Sequence, residues 1–269
     1  MNHELEQKYQ NLQKIFTDMQ SVIVAYSGGV DSALLLKVGT DQLQNKCVGV
    51  IAVSPSLSRY EYDQARRIAD IIGARYVSLE TEELKNPEYQ QNDKDRCYYC
   101  KYELFSKLTS FARESNFKYI VDGNNTDDIS DYRPGMKAAK HLKIRSPLIE
   151  ADFNKSDIRN LAKRLQLPNW DKPAQPCLAS RVAYGIIVRE DILAKIDAAE
   201  KVVRDKGFKI VRVRYLGDKV SVEVGQEELG KLFKKEIQDI LRVELKLIGF
   251  KNIYFDQTGY RSGRLNILQ

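Results

Sequence analysis

The segment Ser21–Ser32, with the sequence SVIVAYSGGVDS, constrains the fold of this chain more than any other. Beta-branched and aromatic residues in Val22–Tyr26 predict a buried strand, and the apolar spacing after Ser32 predicts a helix. Between them, Gly28 and Gly29 allow a sharp turn and the close approach of a ligand. Such a turn directs backbone N–H groups outward at a helix N-terminus, where phosphate oxygens bind. An ordinary strand–turn–helix corner is the alternative, and the Gly-Lys-Ser/Thr of a Walker A loop is missing.

Predicted strands alternate with predicted helices from the N-terminus as far as Leu167. Further strands are predicted at 47–53, 75–79 and 119–121, an extended segment at 144–148, and helices at 4–19, 32–43, 59–72, 98–114, 137–141 and 156–165. This alternation predicts an α/β fold with a doubly wound, mostly parallel sheet and helices on both faces. Ligands of such sheets bind at the carboxyl ends of the strands, where Gly28–Asp31 and Asp122–Asp128 both fall.

The composition changes after Leu167, where residues 168–176 contain three prolines. Beyond them, a predicted helix at 189–206 precedes two alternating segments, 209–215 and 219–224, that predict a hairpin. We therefore predict a nucleotide-binding domain over 1–167, an active-site linker over 168–188 that carries Cys177, and a smaller α+β domain over 189–269.

The charge balance and the absence of long apolar segments limit the class of protein. The chain has 43 basic and 37 acidic residues, a net charge of +6, and the two signs are mixed along it. This balance allows an anionic small-molecule substrate and is weak evidence for binding of nucleic acid. Because no apolar stretch is long enough to span a bilayer and no secretion signal is recognisable, we expect a cytoplasmic protein without membrane contact.

Three of the four cysteines have a pattern that suggests chemistry. Cys97 and Cys100 form a C-x-x-C pair at the start of a helix, and Cys177 follows far downstream. Cys47 lies in an apolar strand and is expected to be a small buried hydrophobic residue. The residues alone leave three readings open for the others: a redox pair, part of a zinc site, or three ligands of a [4Fe–4S] cluster with one open iron.

Several motifs together resemble one known family. They are the loop Ser27–Ser32 and the segments Asp122–Asp128, Asp131–Gly135, Pro176–Arg181, Val211–Arg214 and Arg261–Arg264. In combination they resemble the LarE sulfur transferases of the ATP pyrophosphatase (PP-loop) superfamily, which help to mature the nickel-pincer cofactor of lactate racemase. The resemblance covers nearly the whole chain and implies an adenine nucleotide alpha hydrolase-like fold. It further implies that ATP adenylates a carboxylate of a pyridinium-3,5-dicarboxylate mononucleotide, and that sulfur then displaces AMP to give a thiocarboxylate.

The resemblance also implies roles for individual residues. The ATP-binding residues would be Ser27, Gly28, Gly29, Asp31, Ser32, Asp122, Gly123 and Asp128. The catalytic residues would be Cys177, Asp31 as a Mg²⁺ ligand, and Lys101 near the nucleotide. The substrate-binding residues would be Ser180, Arg181, Glu200, Arg212, Arg214, Glu223, Arg261 and Arg264. The alternatives are plain: Asp31 can cap the following helix, and each of the other charged residues can be a solvated surface group.

Two sulfur sources are implied by the family. Some members sacrifice the sulfur of one cysteine, at the position of Cys177, whereas three-cysteine members carry sulfide on a [4Fe–4S] cluster. Since this chain also has Cys97 and Cys100, we expect the cluster type, with sulfide or a sulfur donor as partner and a homo-oligomeric assembly. The competing functions are a cluster-dependent tRNA thiolation enzyme, an amidotransferase synthetase that uses ammonia, and a nucleotide-binding regulatory module that has lost catalysis.

Overall fold

The alternation of strands and helices predicted from the sequence is present in the structure, a computed structural model that describes residues 3–130, 134–173 and 175–261. The strands are β1 (Val22–Ala25), β2 (Cys47–Val53), β3 (Tyr76–Glu80), β4 (Tyr119–Val121), β5 (Val211–Tyr215), β6 (Lys219–Val224) and β7 (Asn252–Phe255). The helices are α1 (His3–Met19), α2 (Val30–Leu43), α3 (Arg59–Ile72), α4 (Pro87–Gln90), α5 (Arg96–Glu114), α6 (Pro134–His141), α7 (Pro147–Glu150), α8 (Lys155–Arg164), α9 (Glu190–Asp205), α10 (Leu229–Leu232) and α11 (Lys235–Ile248).

The chain forms two compact units. The first comprises residues 1–54, 59–83 and 95–175, and the second comprises residues 55–58, 84–94 and 176–269. Two short segments of the second unit thus lie, in the sequence, between segments of the first unit.

A parallel sheet of four strands, in the order β3-β2-β1-β4, forms the centre of the first unit. Val22 of β1 pairs with Cys47 of β2 on one side and with Tyr119 of β4 on the other. Strands β2 and β3 therefore follow one another on one side of β1, while β4 pairs with β1 on its opposite side. Such a reversal of strand order leaves a crevice at the carboxyl ends of the two central strands. The loops that follow β1 and β4 lie at this edge.

The sequence of the central strands explains why they are buried on both faces. Val22, Ile23 and Val24 of β1 are fully buried, as expected for a continuous apolar run in a parallel sheet. On one face, Ile23 packs in a cluster with Phe105 of α5 and Ala138 of α6. Helix α2, whose leucines 34–36 are fully buried, packs against α1 and α8. The predicted α/β fold with helices around a parallel sheet is confirmed.

The second unit contains a sheet of three strands in the order β5-β6-β7. Strands β5 and β6 form the predicted antiparallel hairpin, and β7 pairs with β6 in parallel. Valines of β5 and β6 form an apolar cluster with Ala199 and Val203 of α9 and with Leu241 and Leu245 of α11. The predicted smaller α+β unit at the C-terminal end is therefore present.

One local prediction was wrong. The segment 144–148 was expected to be extended, and Arg145 does form a parallel bridge with Val121. However, Pro147 and Leu148 begin the short helix α7. Proline has no backbone N–H, but at the first position of a helix this group would have no acceptor within the helix, so its absence costs no hydrogen bond.

No helix in the described ranges is both long enough and apolar enough to span a membrane.

Candidate functional site

The loop that follows β1 has a conformation that only glycine accommodates. Gly28 has φ +74°, in the left-handed region. A Cβ atom added there would lie 2.8 Å from Cβ of Ala65 in α3. The hydroxyl of Tyr26 donates a hydrogen bond to the carbonyl of Ala65 at 2.9 Å, and Nδ2 of Asn169 donates to the carbonyl of Gly28 at 3.0 Å. The turn is therefore held closely against α3.

Hydrogen bonds within the loop connect it to the first turn of α2. The N–H of Ser27 donates to Oγ of Ser32 at 3.2 Å, and this hydroxyl donates to the carbonyl of Gly29 at 3.2 Å. The helix begins at Val30, after Gly29 as N-cap, so Asp31 lies inside its first turn. The alternative role of Asp31 as cap of a helix beginning at Ser32 is therefore wrong. The first turn of a helix has N–H groups without an acceptor inside the helix, and such groups can bind phosphate.

Asp31 forms an ion pair with a residue that the sequence analysis missed. Nζ of Lys155, the first residue of α8, lies 2.6 Å from Oδ1 and 2.7 Å from Oδ2 of Asp31. Both side chains are partly exposed, 36% for Lys155 and 24% for Asp31. The Asp31 carboxylate thus already binds a cationic group through both oxygens.

The loop after β4 lies against this same turn. A Cβ atom at Gly123 would lie 3.2 Å from Cβ of Asp31 and 3.2 Å from N of Ser32. Asp122 is buried and accepts hydrogen bonds from Oγ of Ser146 at 2.7 Å and from Nδ2 of Asn124 at 2.6 Å. Burial raises the pKa of Asp122, although the hydrogen bonds from Ser146 and from the backbone N–H of Asn124 oppose the rise.

Asp128 has a local structural contact within the same loop. Its Oδ2 accepts a hydrogen bond from the N–H of Asn125 at 3.0 Å, and its side chain is buried. The alternative reading of Asp128 as a solvent-exposed loop residue is therefore wrong, whereas its predicted contact with a nucleotide stays a prediction.

Lys101 and the C-x-x-C pair lie on α5 in the first unit. Cys97 is exposed and Cys100 is half-buried, and their spacing of three residues brings them to one face of the helix. The charge of Lys101 is close enough to Asp122 to oppose the rise in its pKa. Cγ of Lys101 lies 3.0 Å from the position of a Cβ at Gly135 in α6. Lys101 therefore lies near the loop after β4, and its expected position near the nucleotide stays a prediction.

Cys177 belongs to the second unit and directly precedes a single helical turn, Leu178–Arg181. Its carbonyl accepts hydrogen bonds from Oγ of Ser180 at 2.7 Å and from Nη1 of Arg181 at 2.9 Å. The N–H of Leu178 donates to the carbonyl of Ser56 at 2.8 Å. The backbone at Cys177 is thus firmly held, while its side chain is half-buried.

The remaining cysteine agrees with its predicted role as a buried hydrophobic residue. Cys47 is 1% exposed, and burial raises the pKa of its thiol to about 12. Within the described ranges, no group of three or more His, Cys, Asp or Glu side chains is arranged as a metal site. The predicted [4Fe–4S] cluster stays a prediction.

Buried arginines and glutamates of the second unit form an ionic network. Nε of Arg181 donates to Oε1 of Glu200 at 2.9 Å, and Nη2 of Arg204 donates to Oε2 of Glu200 at 2.6 Å. The N–H of Val213 also donates to Oε1 of Glu200, at 3.2 Å. Burial opposes ionisation of Glu200, but the arginines outweigh it, so the pKa of Glu200 is lowered.

Strand β5 supplies two further arginines from the same face. Nε of Arg214 donates to Oε1 of Glu223 at 2.6 Å, and the guanidinium of Arg212 lies 4.8 Å from the centre of the Tyr260 ring. Burial and the nearby charge of Arg181 lower the pKa of Arg212. The reading of these groups as solvated surface charges is wrong for the five residues at most 7% exposed, Arg181, Glu200, Arg212, Arg214 and Glu223.

The other predicted substrate residues lie in different surroundings. Ser180 is half-buried beside Cys177, and Arg261 is exposed. Arg264 lies outside the described residues, as do positions 131–133 of the segment Asp131–Gly135.

Comparisons with known proteins agree with this geometry. A family model described as a PP-loop domain matches residues 1–132. Pyridinium-3,5-bisthiocarboxylic acid mononucleotide synthase of Lactiplantibacillus plantarum is 37% identical over 250 residues, which are 93% of this chain and 90% of that protein. An uncharacterized protein of Synechocystis sp. (strain PCC 6803) is 40% identical over 97% of this chain and 98% of its own length. An uncharacterized protein of Methanocaldococcus jannaschii is 28% identical over 97% of this chain and 96% of its own length.

The fold, the glycine turn after β1 and the matched domain define a PP-loop protein. Together with the similarity over nearly its full length, they show that the chain belongs to the LarE family of the PP-loop superfamily.

Proposed function

We propose that this protein is an ATP-dependent sulfurtransferase that converts a carboxylate of a pyridinium-3,5-dicarboxylate mononucleotide into a thiocarboxylate. The observation that carries the proposal is the similarity, over 93% of the chain, to a synthase of the corresponding bisthiocarboxylic acid mononucleotide. The PP-loop at the switch point of the parallel sheet supports the use of ATP.

In the first step, a substrate carboxylate oxygen attacks the α-phosphorus of ATP. The bond from the α-phosphorus to the bridging oxygen breaks, and pyrophosphate leaves with the electron pair. The N–H groups at the start of α2 would bind the phosphates, and Lys101 would approach the nucleotide from α5. Asp31 fits a Mg²⁺ ligand because its two oxygens already bind an ammonium group at 2.6 and 2.7 Å. When bound, Mg²⁺ supplies positive charge that neutralises the leaving pyrophosphate.

The substrate itself carries a phosphate and two carboxylates, which arginine binds with paired hydrogen bonds. The network in the second unit joins Arg181 and Arg204 to Glu200 and Arg214 to Glu223, and Arg212 lies close to Arg181. The charges of the buried Arg181 and Arg212 oppose each other, and a bound anion between such groups would relieve this repulsion. We propose that Arg212 and Arg214 contact it, with Ser180, Arg261 and Arg264 as further ligands and Glu200 orienting Arg181.

In the second step, sulfide attacks the acyl carbon of the adenylate, and AMP leaves with the electrons of the C–O bond. Sulfide is already a strong nucleophile, so no general base is required. We propose that Cys97, Cys100 and Cys177 hold a [4Fe–4S] cluster, since thiolates are the ligands of such clusters and three of them leave one iron open. When bound, that iron supplies an exchangeable position for sulfide.

A product assay tests the ATP step and the sulfur step separately. Incubated with ATP, Mg²⁺, sulfide and the pyridinium dicarboxylate mononucleotide, the protein should release pyrophosphate and AMP in proportion to the thiocarboxylate formed. Cys177→Ala should still release pyrophosphate but form no thiocarboxylate, while Cys47→Ala should do both. Absence of pyrophosphate release with this substrate would contradict the proposal, and release that depends on tRNA instead would indicate a tRNA thiolation enzyme.

Anaerobic reconstitution tests the sulfur source. The protein should bind about four iron and four sulfide per chain with a broad brown absorbance. Cys97→Ala, Cys100→Ala and Cys177→Ala should each lose this absorbance and multiple turnover, and Cys47→Ala is the matched control. A single turnover per chain, with loss of the Cys177 sulfur and no iron bound, would mean that Cys177 is sacrificed.

A further inference from the structure

The ion pair of Lys155 with Asp31 connects the beginnings of two helices. Asp31 lies in the first turn of α2, and Lys155 is the first residue of α8, 124 positions later. The ammonium binds both carboxylate oxygens, at 2.6 and 2.7 Å. Lys155 therefore places a positive charge in direct contact with the residue proposed to bind Mg²⁺.

The position of Lys155 is held by its backbone. Its N–H donates to Oδ2 of Asp127 at 2.9 Å, which ties it to the loop after β4. The preceding residue, Asn154, caps α8 through a reciprocal pair of bonds with Asp157. Only the side chain of Lys155 is thus free to change its partner, and 36% of it is exposed.

The charges near this pair favour an anion once the carboxylate has another partner. The start of α2 carries the positive end of the helix dipole, and the ammonium of Lys155 adds a full positive charge. Asp31 balances this charge while Lys155 is bound to it. A divalent cation bound to the Asp31 carboxylate would repel the ammonium of Lys155, and a triphosphate beside that cation would attract the ammonium.

We propose that Lys155 is an exchangeable counter-ion of Asp31. In the nucleotide-free protein its ammonium neutralises the carboxylate, and on binding of the metal–ATP complex it moves to a phosphate oxygen while the metal takes its place. The inference rests on the ATP step of the proposed function.

The exchange predicts opposite effects on two ligands. In Lys155→Met, Asp31 loses its competitor, so a divalent metal alone should bind about two- to fivefold more tightly, the range for a partly exposed ion pair. The nucleotide should bind roughly ten- to a hundredfold more weakly, because a charge-assisted hydrogen bond to phosphate is lost. A variant that is merely misfolded would weaken both.

Mn²⁺ binding followed by electron paramagnetic resonance measures the first effect on the full-length protein. Calorimetry with Mn²⁺ and α,β-methylene-ATP, which cannot be split at the α-phosphate, measures the second. Lys37→Met is the matched control, because Lys37 also lies 2.6 Å from an aspartate, Asp41, but within one exposed helix face. It should change neither affinity, and Lys155→Arg, which keeps the charge, should bind the nucleotide more tightly than Lys155→Met.

Three results would overturn the inference. Unchanged nucleotide affinity in Lys155→Met would mean that Lys155 does not contact phosphate, and weakened affinity for both ligands would mean a structural role. Neither of these two results contradicts the proposed function, provided that the unmodified protein binds the ATP analogue. Failure of the unmodified protein to bind the analogue would instead overturn the ATP step, and this inference with it.

Discussion

Two glycines with nearly the same backbone conformation have different surroundings. At Gly28, with φ +74°, an added Cβ would lie 2.8 Å from Cβ and 2.9 Å from Cα of Ala65. At Gly73, with φ +72°, an added Cβ would meet no neighbouring atom within 4 Å. Both would suffer the conformational penalty of a left-handed alanine, but only Gly28 would also displace α3.

The comparison predicts different costs for two alanine substitutions. Gly73→Ala should lower the free energy of unfolding by about 1 kcal/mol, the usual cost of the conformation. Gly28→Ala should cost roughly 1–3 kcal/mol more, as in an overpacked core, and should abolish binding of the ATP analogue. Urea unfolding and calorimetry measure both. Equal effects of the two substitutions would show that the contact with α3 does not restrict the loop.

Sequence patterns predicted residues whose surroundings are local. The glycine turn and the buried state of Cys47 were both expected from neighbouring residues. Lys155 and Asn169 were missed because their partners, Asp31 and Gly28, are 124 and 141 positions away. A lysine beside a helix cap and an asparagine between prolines carry no local signal for such pairings.

At the scale of secondary structure, hydrophobic periodicity predicted most elements to within about two residues. The alternation in β5 placed Arg212 and Arg214 on one face, and the register confirms it, with Arg212 opposite Glu223 and Arg214 opposite Ser221. Their burial was not predictable from the strand, because alternating charged residues normally indicate a solvated face. Two carboxylates offset the charges of this face, Glu200 of α9 near Arg212 and Glu223 of β6 bound to Arg214.

The network predicts a dependence of stability on pH. The folded-state pKa of Glu200 lies below its usual value of 4.5. Ionised Glu200 therefore contributes stability that is present above pH 4.5 and is lost as the pH falls through the lowered pKa. Glu200→Gln should remove this part of the acid dependence and lower the free energy of unfolding at pH 7 by about 3–5 kcal/mol, as when one partner of a buried ion pair is removed.

Urea unfolding between pH 3 and pH 7 measures both effects, since the transition midpoint and its slope report the free energy at each pH. Glu244→Gln is the control, because Glu244 forms a comparable bond to Lys206 at 2.6 Å but is 33% exposed. An unchanged acid dependence in Glu200→Gln would mean that Glu200 is not the group that titrates.

At the scale of the whole chain, the change of composition after Leu167 indicated a second domain, but no pattern indicated that residues 55–58 and 84–94 belong to it. Asn92 shows why they do. Its side chain is fully buried, and its Nδ2 donates to the carbonyls of Val182, Ala183 and Ile186 at 3.3, 2.8 and 3.0 Å. Such long-range partners of one short loop are invisible to hydrophobic periodicity.

The interleaving of the two units has a consequence for synthesis on the ribosome. Domains generally fold as units in the order in which they emerge, N-terminal first. Here the first unit is complete once residue 175 has emerged, but the emerged chain also contains segments 55–58 and 84–94 of the second unit, whose partners follow from Pro176 onward. Asn92 has no access to its three carbonyl acceptors until residues 182–186 have been made. The nascent chain therefore carries these two segments without their partners while more than eighty further residues are translated.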